Sequence, residues 1–259
     1  MKATAFHHDY PYRLRILHPE GAALRFERRG AFLHVDPTEP PEVGDTVILT
    51  ASTPYRARGT VEALAAGRRL TVVAAPVVLD WLAGFGPIDA RPAPVTLDGV
   101  AIDALSYTPP RTARPLGHFL RASVIGARPG PSLRRIAEST RFVTSDPQVY
   151  ELRLEDGARL VHLDHALHRD ADPAWIDQAI ARFGGAEWLL VGVPWGDADA
   201  VVAQAPRFAA RRVLVTELQK DERREAGLPT ELVTPVRDRL LAAGVEAHVF
   251  ATQASYRFE

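Results

Sequence analysis

The residues best suited to do chemistry in this chain lie close together. His162-Leu163-Asp164-His165-Ala166-Leu167-His168 is its only dense run of histidine and aspartate. Imidazole exchanges protons near neutral pH and ligates divalent metals, and a neighbouring carboxylate can orient it or share its metal. On a strand, His162 and Asp164 share one face by the period of two, and His165 takes the other. If the chain turns helical afterwards, His165 and His168 meet at i, i+3. Neither geometry gathers three ligands on one element. A metal here needs a further donor, with Glu217 or Asp36 as the available carboxylates; without one, the run is a loop of solvated or hydrogen-bonded histidines.

Other chemistries are excluded by what the sequence lacks. There is no cysteine, which removes disulfides, thiolate zinc sites, iron–sulfur clusters and a thiol nucleophile. No GxSxG elbow occurs, which argues against a serine hydrolase. Gly126–Pro131 lacks the spacing of a phosphate loop. Lys and Arg number 31 against 32 Asp and Glu, for a net charge of −1, so no global field attracts nucleic acid. Leu70–Leu79 is the longest apolar stretch, half of the about 20 residues that span a bilayer. His7-His8 reads as a solvated pair, and the first residues carry no apolar signal core. The expectation is a cytoplasmic chain with no membrane or nucleic-acid partner.

Periodicity and turn chemistry supply the elements that must position these residues. Strands are expected at Arg13–Leu17, Ala22–Glu27, Ala31–Val35 and Thr46–Thr50, then a short helix at Val61–Ala66. A strand at Leu70–Ala74 and a helix at Val77–Gly84 follow. Asp98-Gly99 joins Val95–Leu97 to Val100–Tyr107 as a hairpin. Pro109–Pro147, dense in proline, reads as an insertion that forms a lid or a contact surface. Beyond it, a hairpin of Val149–Leu154 and Arg159–Leu163 precedes alternating helices and strands. The helices are Ala174–Phe183, Ala198–Phe208 and Pro235–Ala243; the strands are Trp188–Val193, Arg212–Thr216 and Val245–Ala251. Asp172-Pro173 is a helix start signal. Each half thus repeats strands followed by alternating strand and helix.

Several segments carry a family resemblance. Leu33-His34-Val35-Asp36-Pro37 is a strand ending in Asp-Pro. Val47-Ile48-Leu49-Thr50 is an apolar strand ending in Leu-Thr. Thr96–Val100 is a hairpin, Arg159–Asp164 a strand delivering an Asp, and Arg212–Thr216 a late strand. In this order and spacing the chain resembles the metallo-β-lactamase fold, and within it the branch of L-ascorbate-6-phosphate lactonase-like metal-dependent hydrolases. The resemblance implies an α/β (α+β) protein with an αββα four-layer sandwich, one domain over residues 1–259. It also implies a metal signature, HxHxDH, directly after Leu-Thr, whose metal lowers the pKa of a bound water.

Here those positions read Ala51-Ser52-Thr53-Pro54-Tyr55-Arg56. Ala51 cannot ligate, Thr53 is a poor ligand, Tyr55 stands for the Asp, and Arg56 places a fixed positive charge where a ligand belongs. By the same resemblance Asp164 is the bridging Asp, with Leu163 in place of the usual glycine. Two further His positions fall near Tyr107 or Thr108 and near Thr216 or Glu217. The expectation is a pocket of Asp36, Thr53, Tyr55, Arg56, His162, Asp164, His165 and Glu217 without metal or other cofactor. Glu217 is expected to pair with Arg56; its alternative role is a carboxylate ligand. The function implied is a pseudoenzyme that binds a protein partner or a second copy of itself. The alternative is a remodelled hydrolase, lactonase- or phosphoesterase-like, with one metal on Asp164, His162 or His165, and Glu217.

Overall fold

The computed structural model describes residues 14–17, 24–28, 31–52, 54–109, 146–216, 231–250 and 255–258. The strands are β1 Leu14–Leu17, β2 Leu24–Arg28, β3 Ala31–Val35, β4 Thr46–Ile48, β5 Leu70–Val73, β6 Ile88–Arg91 and β7 Val95–Leu97. They continue as β8 Val100–Ser106, β9 Gln148–Leu154, β10 Arg159–His162, β11 Trp188–Gly192, β12 Arg212–Thr216, β13 Ala247–Phe250 and β14 Ser255–Phe258. The helices are α1 Pro54–Ala65, α2 Pro76–Leu82, α3 Pro173–Phe183, α4 Ala198–Gln204 and α5 Val233–Ala242.

Two sheets result, in the orders β14-β1-β2-β3-β4-β5-β6 and β13-β12-β11-β10-β9-β8-β7. In the first, β3, β4, β5 and β6 run parallel. In the second, β10, β11, β12 and β13 do the same. Parallel strands are covered on both faces, so their sequences read as unbroken apolar runs. The strand Trp188-Leu189-Leu190-Val191-Gly192 sends Leu189 and Val191 under the helices and Trp188 and Leu190 between the sheets. The middle layer joins Val35, Ile48 and Val73 of one sheet to Tyr150, Leu160, Leu214 and Phe250 of the other. Helices α1 and α2 cover the first sheet with Leu64, Val78 and Leu82, and α3, α4 and α5 cover the second with Phe183, Val201 and Leu240. This is the four-layer sandwich that the sequence implied.

Local chemistry sets the element ends. Asp98 and Gly99 turn the β7–β8 hairpin with φ of 48° and 72°, the signs a type I′ turn requires. The Asp172 carboxylate caps α3 by accepting from the Ala174 N–H at 2.9 Å. At its other end the Arg159 guanidinium donates to the carbonyls of Gly184 at 2.9 Å and Arg182 at 3.2 Å. Among the described residues no helix is long and apolar enough to cross a membrane.

Three expectations are corrected. The helix placed at Val61–Ala66 begins at Pro54, because proline is pre-organised for a first helical turn. Arg56 therefore sits on a helix instead of in a loop. Strands β6 and β14 went unrecognised: β6 reads Ile-Asp-Ala-Arg, half polar at a sheet edge, and β14 gains its partner, β1, from the far end of the chain. Residues 205–208 of the helix expected at Ala198–Phe208 form a 3-10 turn around Pro206. The Pro109–Pro147 insertion lies almost wholly outside the described residues.

Helix α1 owes its seat to Gly59. A Cβ there would stand 2.3 Å from the Glu39 carbonyl and 2.5 Å from that of Pro37, and the Gly59 N–H donates to Pro37 O at 3.0 Å. Gly59→Ala is expected to destabilise the fold by about 1–3 kcal/mol through overpacking against backbone. Chemical denaturation measures it; a loss below about 0.5 kcal/mol, the range of neutral surface changes, contradicts this packing.

Candidate functional site

The ends of β3, β4, β8 and β10 and the first turn of α1 converge on one buried cluster. Asp36 follows β3 directly and Asp164 follows β10 by two residues, both left-handed at φ 49°, a conformation Asp tolerates better than most side chains. The Asp36 carboxylate accepts from the Thr50 N–H at 2.8 Å and the Thr50 hydroxyl at 2.5 Å. Arg56 reaches across to Asp164: Nη1 donates to Oδ2 at 2.6 Å and Nη2 to Oδ1 at 3.0 Å. This is the bidentate fork that makes Arg–carboxylate pairs strong. Arg56 Nη1 also donates to the Thr50 hydroxyl oxygen and stands 3.4 Å from Asp36 Oδ2.

Asp164 has two more donors. The Tyr107 hydroxyl donates to Oδ2 at 2.5 Å, and His165 Nδ1 lies 2.9 Å from Oδ1, which places the ring proton on Nδ1. Tyr107 is held in turn by α3, whose Trp175 ring lies 5.8 Å from its own and whose indole N–H donates to Ser106 O at 2.7 Å. Gly192 makes room for the turn. Its N–H donates to Asp164 O at 2.7 Å, and a Cβ there would stand 2.8 Å from His165 Nε2.

The cluster is buried, with Asp36 and Arg56 each 5% exposed and Asp164 1%. Burial alone would neutralise such groups. Burial pushes the Asp164 carboxyl up, but Arg56 and His165 outweigh it and hold it well below the usual carboxylate range. Burial likewise opposes the Arg56 charge, and Asp164 with Asp36 holds it on. Asp36 differs: burial dominates its Arg56 and Thr50 contacts and raises its pKa from 3.8 to about 6. Burial and the Asp164 charge push the Tyr107 hydroxyl up, so it stays a donor.

His162 lies next to this network but not in it. It is 2% exposed, and neither ring nitrogen has a hydrogen-bond partner. Burial lowers its pKa from 6.5 to about 4 against the attraction of Asp164, so it is neutral in the fold. His168 does not meet His165 on a helix, because the chain turns at Asp164–His165; its Nε2 instead bonds to Thr108 O at 2.9 Å.

Of the expected pocket, Asp36, Arg56, Asp164 and His165 come together, with His162 beside them. The carboxylates found on Arg56 are Asp164 and Asp36; Glu217, its expected partner, and Thr53 lie outside the described residues, as does the side chain of Tyr55. Thr50 and Tyr107 were not in the expected pocket, although the resemblance puts a ligand position near Tyr107 or Thr108 and the metal signature directly after Thr50. Both Asp164 oxygens point at a guanidinium, and no group of three or more His, Asp or Glu among the described residues could hold a metal ion.

No protein-family model matches the sequence, and no curated protein matches it. Solved structures do. A metallo hydrolase from the hyperthermophilic archaeon Ignicoccus hospitalis superposes with a TM-score of 0.62 at 11% identity, over 95% of this chain and 98% of that one. An isothiocyanate hydrolase from Delia radicum gut bacteria gives 0.55 at 11% identity over 95% and 99%. The diiron β-hydroxylase CmlA of Streptomyces venezuelae gives 0.58 at 10% identity, over 96% of this chain and 55% of that one. The chain has the metallo-β-lactamase fold.

Asp36 and His162 set opposite dependences of stability on pH. The Asp36 pKa is raised on folding, so its contribution is full below 3.8 and is lost as pH rises through about 6. The His162 pKa is lowered, so its contribution is full above 6.5 and is lost as pH falls through about 4. Between these limits the two trends offset each other. Asp36→Asn is expected to leave a chain that loses stability on acidification from pH 6.5 to 4, and His162→Leu one that gains it. Each change is on the order of 1–3 kcal/mol. Denaturant titrations across that range read the slopes; equal slopes in the two variants contradict the assignment.

Proposed function

We propose that this chain is a metallo-β-lactamase-fold protein that works without a metal centre, as a binding or regulatory subunit and not as a hydrolase. One observation carries this reading: the Arg56 guanidinium sits between Asp164 and Asp36, where the sequence resemblance places metal ligands. A guanidinium is a permanent cation, and a dication brought to the same carboxylates meets repulsion. The Asp164 oxygens are engaged by Arg56, Tyr107 and His165, which leaves little basicity to activate a water. The proteins it resembles in structure include hydrolases and a diiron hydroxylase.

A protein partner or a second copy of the chain is the partner class this reading favours. The outer surface offers Val77 and Phe85 at 42% and 39% exposure, with the Trp81 and Phe85 rings 5.0 Å apart on and just after α2. The net charge of −1 gives no pull toward nucleic acid.

Metal content tests the reading. Protein expressed in medium supplemented with zinc, manganese and iron is expected to carry well under one metal per chain by elemental analysis, and its thermal midpoint is expected not to move with EDTA. A bound ion that stabilised the native state would shift that midpoint on removal. A stoichiometric metal that leaves with EDTA and takes stability or hydrolytic activity with it overturns the proposal in favour of a hydrolase built around Asp164.

A further inference from the structure

We infer that Asp36 and Asp164 form a binding site for a planar guanidinium cation, which this chain fills with its own Arg56. The inference stands on the geometry of these three side chains, whatever partner the protein serves. Arg56 presents both terminal nitrogens to Asp164, one to each oxygen, and turns the second N–H of Nη1 toward Thr50 and Asp36. Recognition therefore uses the plane and the fork of the cation, not its charge alone.

The spacing of the carboxylates selects against a small divalent ion. Nη1 stands 2.6 Å from Asp164 Oδ2 and 3.4 Å from Asp36 Oδ2. One N–H of Nη1 goes to Asp164 and the other lies between the Thr50 hydroxyl and Asp36, and that divergence sets the two carboxylate oxygens on the order of 5 Å apart. A zinc or magnesium ion bonded at about 2.1 Å draws its donor oxygens to within roughly 4.2 Å of each other. Asp36 cannot easily close that gap, because the backbone N–H and hydroxyl of Thr50 tie it to the end of β4. Asp164 is tied by Tyr107. An ammonium fits less well, since it offers a point charge where the site has a fork.

A second feature lies beside it in the chain. His162, two residues before Asp164, is 2% exposed with no partner on either ring nitrogen. Removal of Arg56 would leave two carboxylates and this neutral imidazole around a cavity with the outline of the lost group.

Arg56→Ala, purified with and without methylguanidinium, is the test. The variant alone is expected to lose on the order of 10 °C in thermal midpoint, since one partner of a buried ion pair is gone. Methylguanidinium at millimolar concentration, far below denaturing levels, is expected to restore most of that loss saturably, and to do nothing for the wild-type chain. Tetramethylammonium at equal ionic strength, and zinc or manganese, are expected to restore little. Arg56→Lys is expected to fall between wild type and Arg56→Ala. If Arg56→Ala is insoluble, refolding it with methylguanidinium is expected to recover folded chain, and failure to do so overturns the inference. So does a folded variant that methylguanidinium does not stabilise, or one that zinc rescues equally well. None of these failures bears on the metal content of the wild-type chain, which tests the proposed function separately.

Discussion

A guanidinium enclosed by two carboxylates at the meeting of two sheets is the constraint on which this edge of the protein depends. Taking ions out of water costs several kcal/mol each, and their attraction offsets this only when geometry is good and remaining donors and acceptors are met. Here both conditions shape the chain. Arg56 needs a helix that begins at Pro54 and approaches the Pro37–Glu39 backbone closely enough to require Gly59. Asp164 needs a left-handed turn, and that turn needs Gly192. Tyr107 must reach in from the end of β8, with Trp175 of α3 behind it.

One cation serves two carboxylates, and the two are not served equally. Asp164 receives the full fork, a tyrosine hydroxyl and an imidazole, and it stays ionised. Asp36 has a 3.4 Å contact with the same guanidinium and, among the described residues, otherwise Thr50, so burial prevails and its pKa rises toward neutrality. At an effective dielectric near 20, a pair of unit charges about 4 Å apart interacts by about 4 kcal/mol. A second full negative charge in the cluster is therefore costly, and a proton on Asp36 relieves it. The neutral state of His162 fits the same balance, because a further cation beside Arg56 would be repelled.

Much of the architecture was legible in the sequence because it follows from local pattern. The unbroken apolar run at Trp188–Val193, the Asp98-Gly99 turn and the Asp172-Pro173 cap each act within a few residues. The ring of strand ends was also legible, through the resemblance that aligned Asp36, Arg56 and Asp164. The partner of Arg56 was not. Asp164 is 108 positions away from it, and nothing local distinguishes its carboxylate from that of Glu217. Only the packing of one sheet on the other decides which strand end faces α1. Helix α1 was read too short for a related reason: a glycine lowers helix propensity, and the carbonyls of Pro37 and Glu39 that require Gly59 are distant in sequence.

The two sheets also explain why the cluster falls where it does. Strands β3 to β6 and β10 to β13 repeat one parallel arrangement. In each half the acidic residue follows the first strand of the set, at the border where antiparallel pairing gives way to parallel. Packing the sheets face to face brings the two borders, and hence two carboxylates, to one edge. Like charges so placed repel, and a cation between them turns that repulsion into a bond between the halves. A soluble ion could supply such a bond, but only at the entropy cost of its capture and with a dependence on its concentration. A side chain carried on α1 is always present once the first half has folded. The contact that joins the halves is therefore set by the chain itself.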